Sequence, residues 1–223
     1  MLRTIAFFDL DHTLLSGDSD VLWCEFLMEK RILERESFAA RNADMEARYK
    51  SGTVGVEEFA QFYVSTLAGR TAAQWEPARR EFLETIVVPR IPAAAVQLVE
   101  RHRQAGDVLV MTTATNRFIT ELTARHFGID HLLATETQMQ DGVFTGNPEG
   151  TLNMRGGKVD RIEAWLAARG ELLEDYRSAA YSDSMNDLPL LEAVDDPVAV
   201  DPDPRLADLA LARGWPILKL HGR

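Results

Sequence analysis

The chain has 223 residues, 46% of them hydrophobic, which suits one medium-sized fold with a sizeable core. Its balance is acidic, 24 Lys and Arg against 35 Asp and Glu for a net charge of −11, which disfavours nucleic acid and anionic membranes as partners. Cys24 is the single cysteine, so an intrachain disulfide is excluded, and no apolar run reaches the roughly 18 residues of a membrane span; a cytoplasmic location is expected.

Residues 3–9 read as a buried strand that runs into Asp9-Leu10-Asp11-His12-Thr13-Leu14. Residues 18–33 carry Val21, Leu22, Phe26 and Leu27 at helical spacing, and residues 34–50 are polar but helix-prone. Residues 55–68 line up Val56, Phe59, Ala60, Tyr63 and Leu67 on one helical face, and 72–86 continue as helix. No strand is expected between about residues 16 and 86, and Pro89 and Pro92 mark a boundary. Beyond it the rhythm changes: a helix over 93–105 stopped by Gly106, a strand at 108–111 ending in Thr112-Thr113, and a helix over 116–127 stopped by Gly128. A strand and hairpin follow over 131–146, turning at Asp141-Gly142, and Gly156-Gly157-Lys158 opens a helix through Arg169. A strand at 178–182, a helix at 188–193 and a last clear strand at 197–200 complete the series. Such alternation predicts an α/β fold with a parallel sheet covered on both faces.

Ligands in open α/β sheets bind at the carboxyl ends of the strands, and Asp9, Asp11, Thr113 and Asp183 all fall there. Strand alternation sends the Asp9 and Asp11 side chains to one side, where two carboxylates repel unless a cation or a proton intervenes. That pair suits one nucleophile and one general acid. Thr113 offers a hydroxyl to a phosphate oxygen, or, like Thr115, a helix N-cap. Lys158 is one of only four lysines in an arginine-rich chain and stands at a helix start, where anions are favoured; an ordinary solvated lysine is the alternative. A P-loop does not fit, because Leu152 occupies the required glycine position and Val159 follows the lysine. Asp187 or Asn186 suits a helix cap, whereas Asp183 comes too early for one. The histidines lack zinc-ligand spacing, His12 is expected to be exposed, and Cys24 to be core.

Asp9-Leu10-Asp11-His12-Thr13-Leu14, Thr113, Lys158 and Asp183-Ser184-Met185-Asn186-Asp187 resemble, in order, the four motifs of the haloacid dehalogenase-like hydrolases. Ser16-Gly17-Asp18-Ser19 and the segment from Gly128 to Gly146 are similar to the phosphoserine phosphatase-like branch, including phosphoserine and histidinol phosphatases. The resemblance covers the whole chain. It implies a Rossmann-like parallel-sheet core at 1–15 and 91–223 with an all-helical cap inserted at 16–90. It also implies Mg²⁺-dependent hydrolysis of a small phosphate ester. Asp9 would attack phosphorus, Asp11 would serve as acid and base, and Thr113 and Lys158 would bind the phosphoryl group. Mg²⁺ would lie among Asp9, the Asp11 carbonyl and Asp183, with Asp187 orienting Lys158 or a metal-bound water. Asp18, Ala114 and Asn186 would line the substrate site, Asp18 either meeting a substrate ammonium group or capping a helix. Thr113-Ala114-Thr115 departs from the Ser-Gly-Gly usual at the second motif, and Ser182 from the glycine usual before the metal aspartate. A small-molecule substrate is the expected partner, with a homodimer allowed. The alternatives are a dehalogenase, which has no use for Asp11, and a non-catalytic or phosphotransfer signalling protein, for which the helical insertion and the intact acid–lysine set are foreign.

Overall fold

A computed structural model describes residues 3–222. Seven strands form one sheet in the order β4-β3-β2-β1-β5-β6-β7. They are β1 (Arg3–Phe8), β2 (Val108–Asn116), β3 (His131–Gln140), β4 (Val143–Glu149), β5 (Tyr176–Ser182), β6 (Asp196–Val200) and β7 (Ile217–Leu218). All neighbours run parallel except β3 and β4, which form the antiparallel hairpin. Its turn has positive φ at both Asp141 (51°) and Gly142 (77°), the twist that a two-residue hairpin needs. β1 is central, paired Phe8 to Met111 on one side and Phe8 to Tyr181 on the other, so the three strand ends that follow open side by side.

Between β1 and β2 lie α1 (Ser19–Glu29), α2 (Arg35–Ser51), α3 (Val56–Val64), α4 (Ala72–Phe82) and α5 (Ala93–Ala105), with a π turn at Leu83–Val87 and a 3₁₀ turn at Val88–Arg90 after α4. Residues 19–90 therefore contain helix and no strand. Trp23 and Phe26 of α1 and Trp75 and Phe82 of α4 share a core with Ala6, Phe8 and Met111 of the sheet. The insertion is thus rooted in the core by its first and last helices. A separate cluster joins α2 and α3 to α1 through Met45, Phe59, Phe62, Tyr63, Val21 and Cys24. Cys24 is fully buried, as its apolar helix face predicts.

After β2 come α6 (Arg117–His126), α7 (Gly156–Ala167), α8 (Leu188–Ala193) and α9 (Pro204–Arg213). The sequence reading stops at the β6 region and misses α9 and β7. It also runs α7 on to Arg169, where Gly170 at φ 72° ends the segment in a turn. The outer ends of the expected core, residues 1, 2 and 223, lie outside the described residues. Among those described, no single helix is long and apolar enough to cross a membrane.

Candidate active site

β1 ends at Phe8, one residue before the first aspartate, so strand alternation does not orient Asp9 and Asp11. Hydrogen bonds do. The Asp9 N–H still donates to the Tyr181 carbonyl of β5 at 3.0 Å, holding the chain in line with the sheet. His12 then takes φ 58° and bends it back toward Leu10. His12 is only partly exposed, against expectation, and its Nε2 is buried without a partner.

Lys158 links the motifs. Its Nζ donates to Asp9 Oδ1 at 2.8 Å and to Asp187 Oδ2 at 2.6 Å, and the residue is 2% exposed. The Asp187 oxygen also accepts from Ser182 Oγ at 2.7 Å. Two devices set the start of α7 at this depth. A Cβ on Gly157 would lie 2.1 Å from the Leu152 carbonyl oxygen, so only glycine permits the close approach. Asn153, fully buried, aims its amide nitrogen at Thr112 Oγ1 and the Thr113 and Leu133 carbonyls, all within 3.0 Å, pegging the loop to β2 and β3.

Thr13 joins Asp9 to Asp183. Its hydroxyl lies 2.9 Å from Asp9 Oδ2 and 3.3 Å from Asp183 Oδ1, and it accepts from the Asp183 N–H at 3.0 Å. Burial pushes the Asp9 carboxyl up to about 7, against the opposing pull of Lys158. Burial, with Asp9 and Asp187 nearby, pushes Asp183 well above the usual carboxylate range. For Lys158, burial favours the neutral amine, but Asp187 and Asp9 outweigh it and its pKa ends raised. The site therefore gathers several acids around one buried ammonium group. Asp183 makes no ion pair among the described residues, and no three acidic, His or Cys side chains there converge on one point. Asp9 and Asp183, drawn together by the Thr13 hydroxyl, are hard oxygen donors with excess negative charge, and such a pair fits Mg²⁺, which takes one or two carboxylates and keeps much of its water.

Asp11 stands apart from that pair. Its Oδ1 accepts from the Ser19 N–H at 2.7 Å and from the Ser19 hydroxyl, and its Oδ2 accepts from Thr113 and Thr115 hydroxyls, each at 3.0 Å. Neither threonine caps α6; Asn116 does, accepting from the Ile119 N–H at 3.1 Å. Ala114 is half-buried against the α1–α2–α3 cluster. Asn186 is 7% exposed and bridges to the insertion: its Nδ2 donates to the Tyr49 carbonyl and its Oδ1 accepts from Arg155 Nε. Arg155 in turn donates to the Gly52 and Val54 carbonyls. The end of α2 thus closes over the acids. Burial and the nearby Asp187, Asp9 and Asp183 hold the Tyr49 phenol far above its ordinary pKa. A concavity opens elsewhere, between α2 and α3, lined by Arg41, Arg48, Glu58 and Phe62.

Asp18 is the N-cap of α1, its Oδ1 accepting from the Asp20 and Val21 N–H groups at 2.9 and 3.0 Å. It is also buried, which, with Asp11 near, pushes its carboxyl up to about 8. A raised carboxyl favours the fold while both states are protonated, below about pH 4, and that advantage is lost as pH rises to about 8. Asp18→Asn keeps a capping oxygen and cannot ionise. Its melting temperature, measured against the unsubstituted protein, should therefore improve between pH 5 and pH 8, by roughly 2 kcal/mol or about 5 °C. A pH-independent difference would mean that Asp18 ionises freely in the fold.

Ser19, Thr13, Thr115, Tyr49, Arg155 and Asn153 complete the site although the sequence reading places none of them among its candidate site residues. Only the hydroxyl-rich Thr112–Thr115 run and the adjoining Ser16–Ser19 loop carry a local hint.

These motifs and this fold define a known class. The profile of the haloacid dehalogenase-like hydrolase family matches residues 6–192. The chain is 37% identical over 219 residues to a histidinol-phosphatase of Neisseria meningitidis serogroup C (strain 8013), covering 97% of this chain and 99% of that one. It is 31% identical over 219 residues to the phosphoserine phosphatase SerB1 of Mycobacterium tuberculosis, covering 97% and 70%. A crystal structure of a protein of unknown function from Bordetella pertussis Tohama I superposes with a TM-score of 0.93 at 42% identity, over 99% of this chain and 100% of that one. A substrate-bound phosphoserine phosphatase shares the fold, with a TM-score of 0.71 at 17% identity over 100% and 95%. The chain belongs to the haloacid dehalogenase-like hydrolases, on their phosphoserine phosphatase-like branch. It is a hydrolase whose named relatives include phosphatases.

Proposed function

We propose that the protein hydrolyses a small phosphate monoester with Mg²⁺ through a phosphorylated Asp9. The observation that supports this reading most is that three separate segments bring Asp9, Asp183 and Lys158 into one hydrogen-bonded chain, Lys158 donating to Asp9 and Thr13 linking Asp9 to Asp183. In this reading Asp9 Oδ2 attacks phosphorus while Lys158 keeps Oδ1 engaged and offers charge to the transferring phosphoryl group. Asp11 donates a proton to the departing alkoxide and then takes one from the attacking water. To do so it must exchange donors, because Ser19, Thr113 and Thr115 occupy its oxygens here. Thr113 is then freed toward the phosphoryl oxygens. Asp9, the Asp11 carbonyl and Asp183 would hold Mg²⁺, which when bound neutralises phosphate charge and offsets the repulsion among the carboxylates. Asp187, engaged with Lys158, takes the orienting role.

Residues 16–90 act as the cap over a core of 1–15 and 91–223, with Tyr49, Gly52 and Val54 forming the edge that meets the core. The relatives' substrates suggest an amine-bearing ester such as histidinol phosphate or phosphoserine, with Asp18 beside its ammonium group. Purified protein should hydrolyse phenyl phosphate when Mg²⁺ is added and stop when it is chelated, recovering on re-addition. Full turnover in excess chelator would remove Mg²⁺ from the scheme.

A further inference from the structure

The Thr13 hydroxyl joins Asp9 to Asp183, so the place of Thr13 sets the spacing of those two carboxylates. Thr13 is fully buried. Its N–H donates to the Leu10 carbonyl at 3.2 Å. Its carbonyl lies 2.9 Å from Nε2 of His221, 208 positions further along the chain. A carbonyl can only accept, so Nε2 carries the ring proton and Nδ1 is left bare. Nδ1 is buried and has no hydrogen-bond partner.

A specific turn delivers that ring. β7 pairs with the end of β6, Leu218 opposite Val200. Directly after β6, Asp201 takes φ 40°, a left-handed conformation uncommon for residues other than glycine. From there its N–H donates to the Leu218 carbonyl at 2.9 Å, and its Oδ2 accepts from the Leu220 and His221 N–H groups at 2.7 and 3.0 Å. The same loop also holds the partner acid: the Asp203 N–H donates to the Asp183 carbonyl at 2.8 Å, and Asp203 Oδ2 accepts from the Met185 N–H at 2.6 Å. The loop after β6 thus braces both sides of the link between Thr13 and Asp183.

Packing does not account for an imidazole here. Leu220, 8% exposed, already joins the core that contains Leu14, and two hydrogen bonds already fix the backbone. Leucine at 221 would fill space without leaving a buried nitrogen unpaired, which is costly. What the ring adds is its one bond to Thr13.

We propose that His221 is a positioning residue: placed by Asp201, its Nε2–H holds the Thr13 peptide so that the Thr13 hydroxyl keeps Asp9 and Asp183 at their working separation. The inference rests on the phosphatase reading and adds to it a residue that touches neither phosphate nor alcohol.

Two substitutions separate donor from bulk. His221→Gln keeps an N–H at about the reach of Nε2, whereas His221→Leu keeps bulk and removes the donor. With phenyl phosphate and saturating Mg²⁺, His221→Leu should lower kcat at least about tenfold and leave KM within about twofold, because the ester's own contacts are untouched. His221→Gln should stay within about threefold of the unsubstituted protein. A packing role predicts the reverse order. Asp201→Ala acts through the same bond, so adding it to His221→Leu should lower kcat no further than the slower single variant does. An unmoved kcat in His221→Leu, an equal loss in His221→Gln, a raised KM with kcat intact, or multiplied losses in the double variant would each overturn the assignment. Nitrogen-15 NMR of the unsubstituted protein reads the tautomer without turnover. The neutral His221 ring should carry its proton on Nε2; a proton on Nδ1 would also overturn the assignment, since the Thr13 carbonyl has none to give. If the unsubstituted protein hydrolyses phenyl phosphate and His221→Leu matches it, the positioning role alone fails; without hydrolysis the phosphatase reading fails and takes the role with it.

Discussion

Asp9→Asn is expected to lower kcat by at least about 10³-fold, because an amide oxygen is a poor nucleophile and the covalent step is lost. The fold should survive. The substitution removes a buried carboxyl already pushed up to about 7, and an amide oxygen can still accept from Lys158 or Thr13. Asp11→Asn should differ in kind. It leaves the nucleophile in place, so an ester with a good leaving group should still phosphorylate Asp9 slowly while hydrolysis of the acyl phosphate stalls. Rapid-quench kinetics would show a burst of alcohol of about one equivalent per enzyme, followed by almost nothing. Substantial steady turnover in Asp9→Asn would mean that water attacks phosphorus directly and that no aspartyl phosphate forms.

Lys158→Met should abolish activity and also destabilise the fold, by about 3–5 kcal/mol, since it leaves Asp9 and Asp187 buried without their shared cation. The two losses have different cures. Adding Asp187→Asn removes one of the stranded charges and should restore part of the stability, while activity stays lost because no ammonium group faces the phosphoryl site. Denaturant melts and a phenyl phosphate assay on the single and double variants would separate these effects. A Lys158→Met protein as stable as the parent would show that the ion pair sits in a far more solvated place than its 2% exposure indicates.

The acid–lysine centre is legible in the sequence because each member follows a short-range signal. Asp9 and Asp183 come just after apolar strands, and Lys158 comes after a glycine pair at a helix start. What brings Lys158 to Asp9, 149 positions away, is sheet order, which strand–helix alternation predicts in kind. Other features have no such signal. Tyr63 lies on an apolar helical stripe and reads as core; only the packing of α3 against α1 shows its hydroxyl buried without a partner. α9 begins with Asp203-Pro204, a legible start, but β7 is two residues long and gives no periodicity. The Asp9–Asp11 relation eludes pattern reading because β1 stops one residue too early and Ser19, Thr113 and Thr115 decide where Asp11 points.

Arg155 holds the insertion's edge from a backbone at φ 53°, ψ −128°, a conformation that costs a non-glycine residue about 1–3 kcal/mol. Glycines follow at 156 and 157, yet the unfavourable angle falls on the arginine, whose fork alone reaches Gly52, Val54 and Asn186. Lys158 is three residues further along that same turn, so the strained peptide, the clasp to the end of α2 and the buried ammonium group belong to one short segment, and a change at Arg155 reaches the lysine through three residues of backbone.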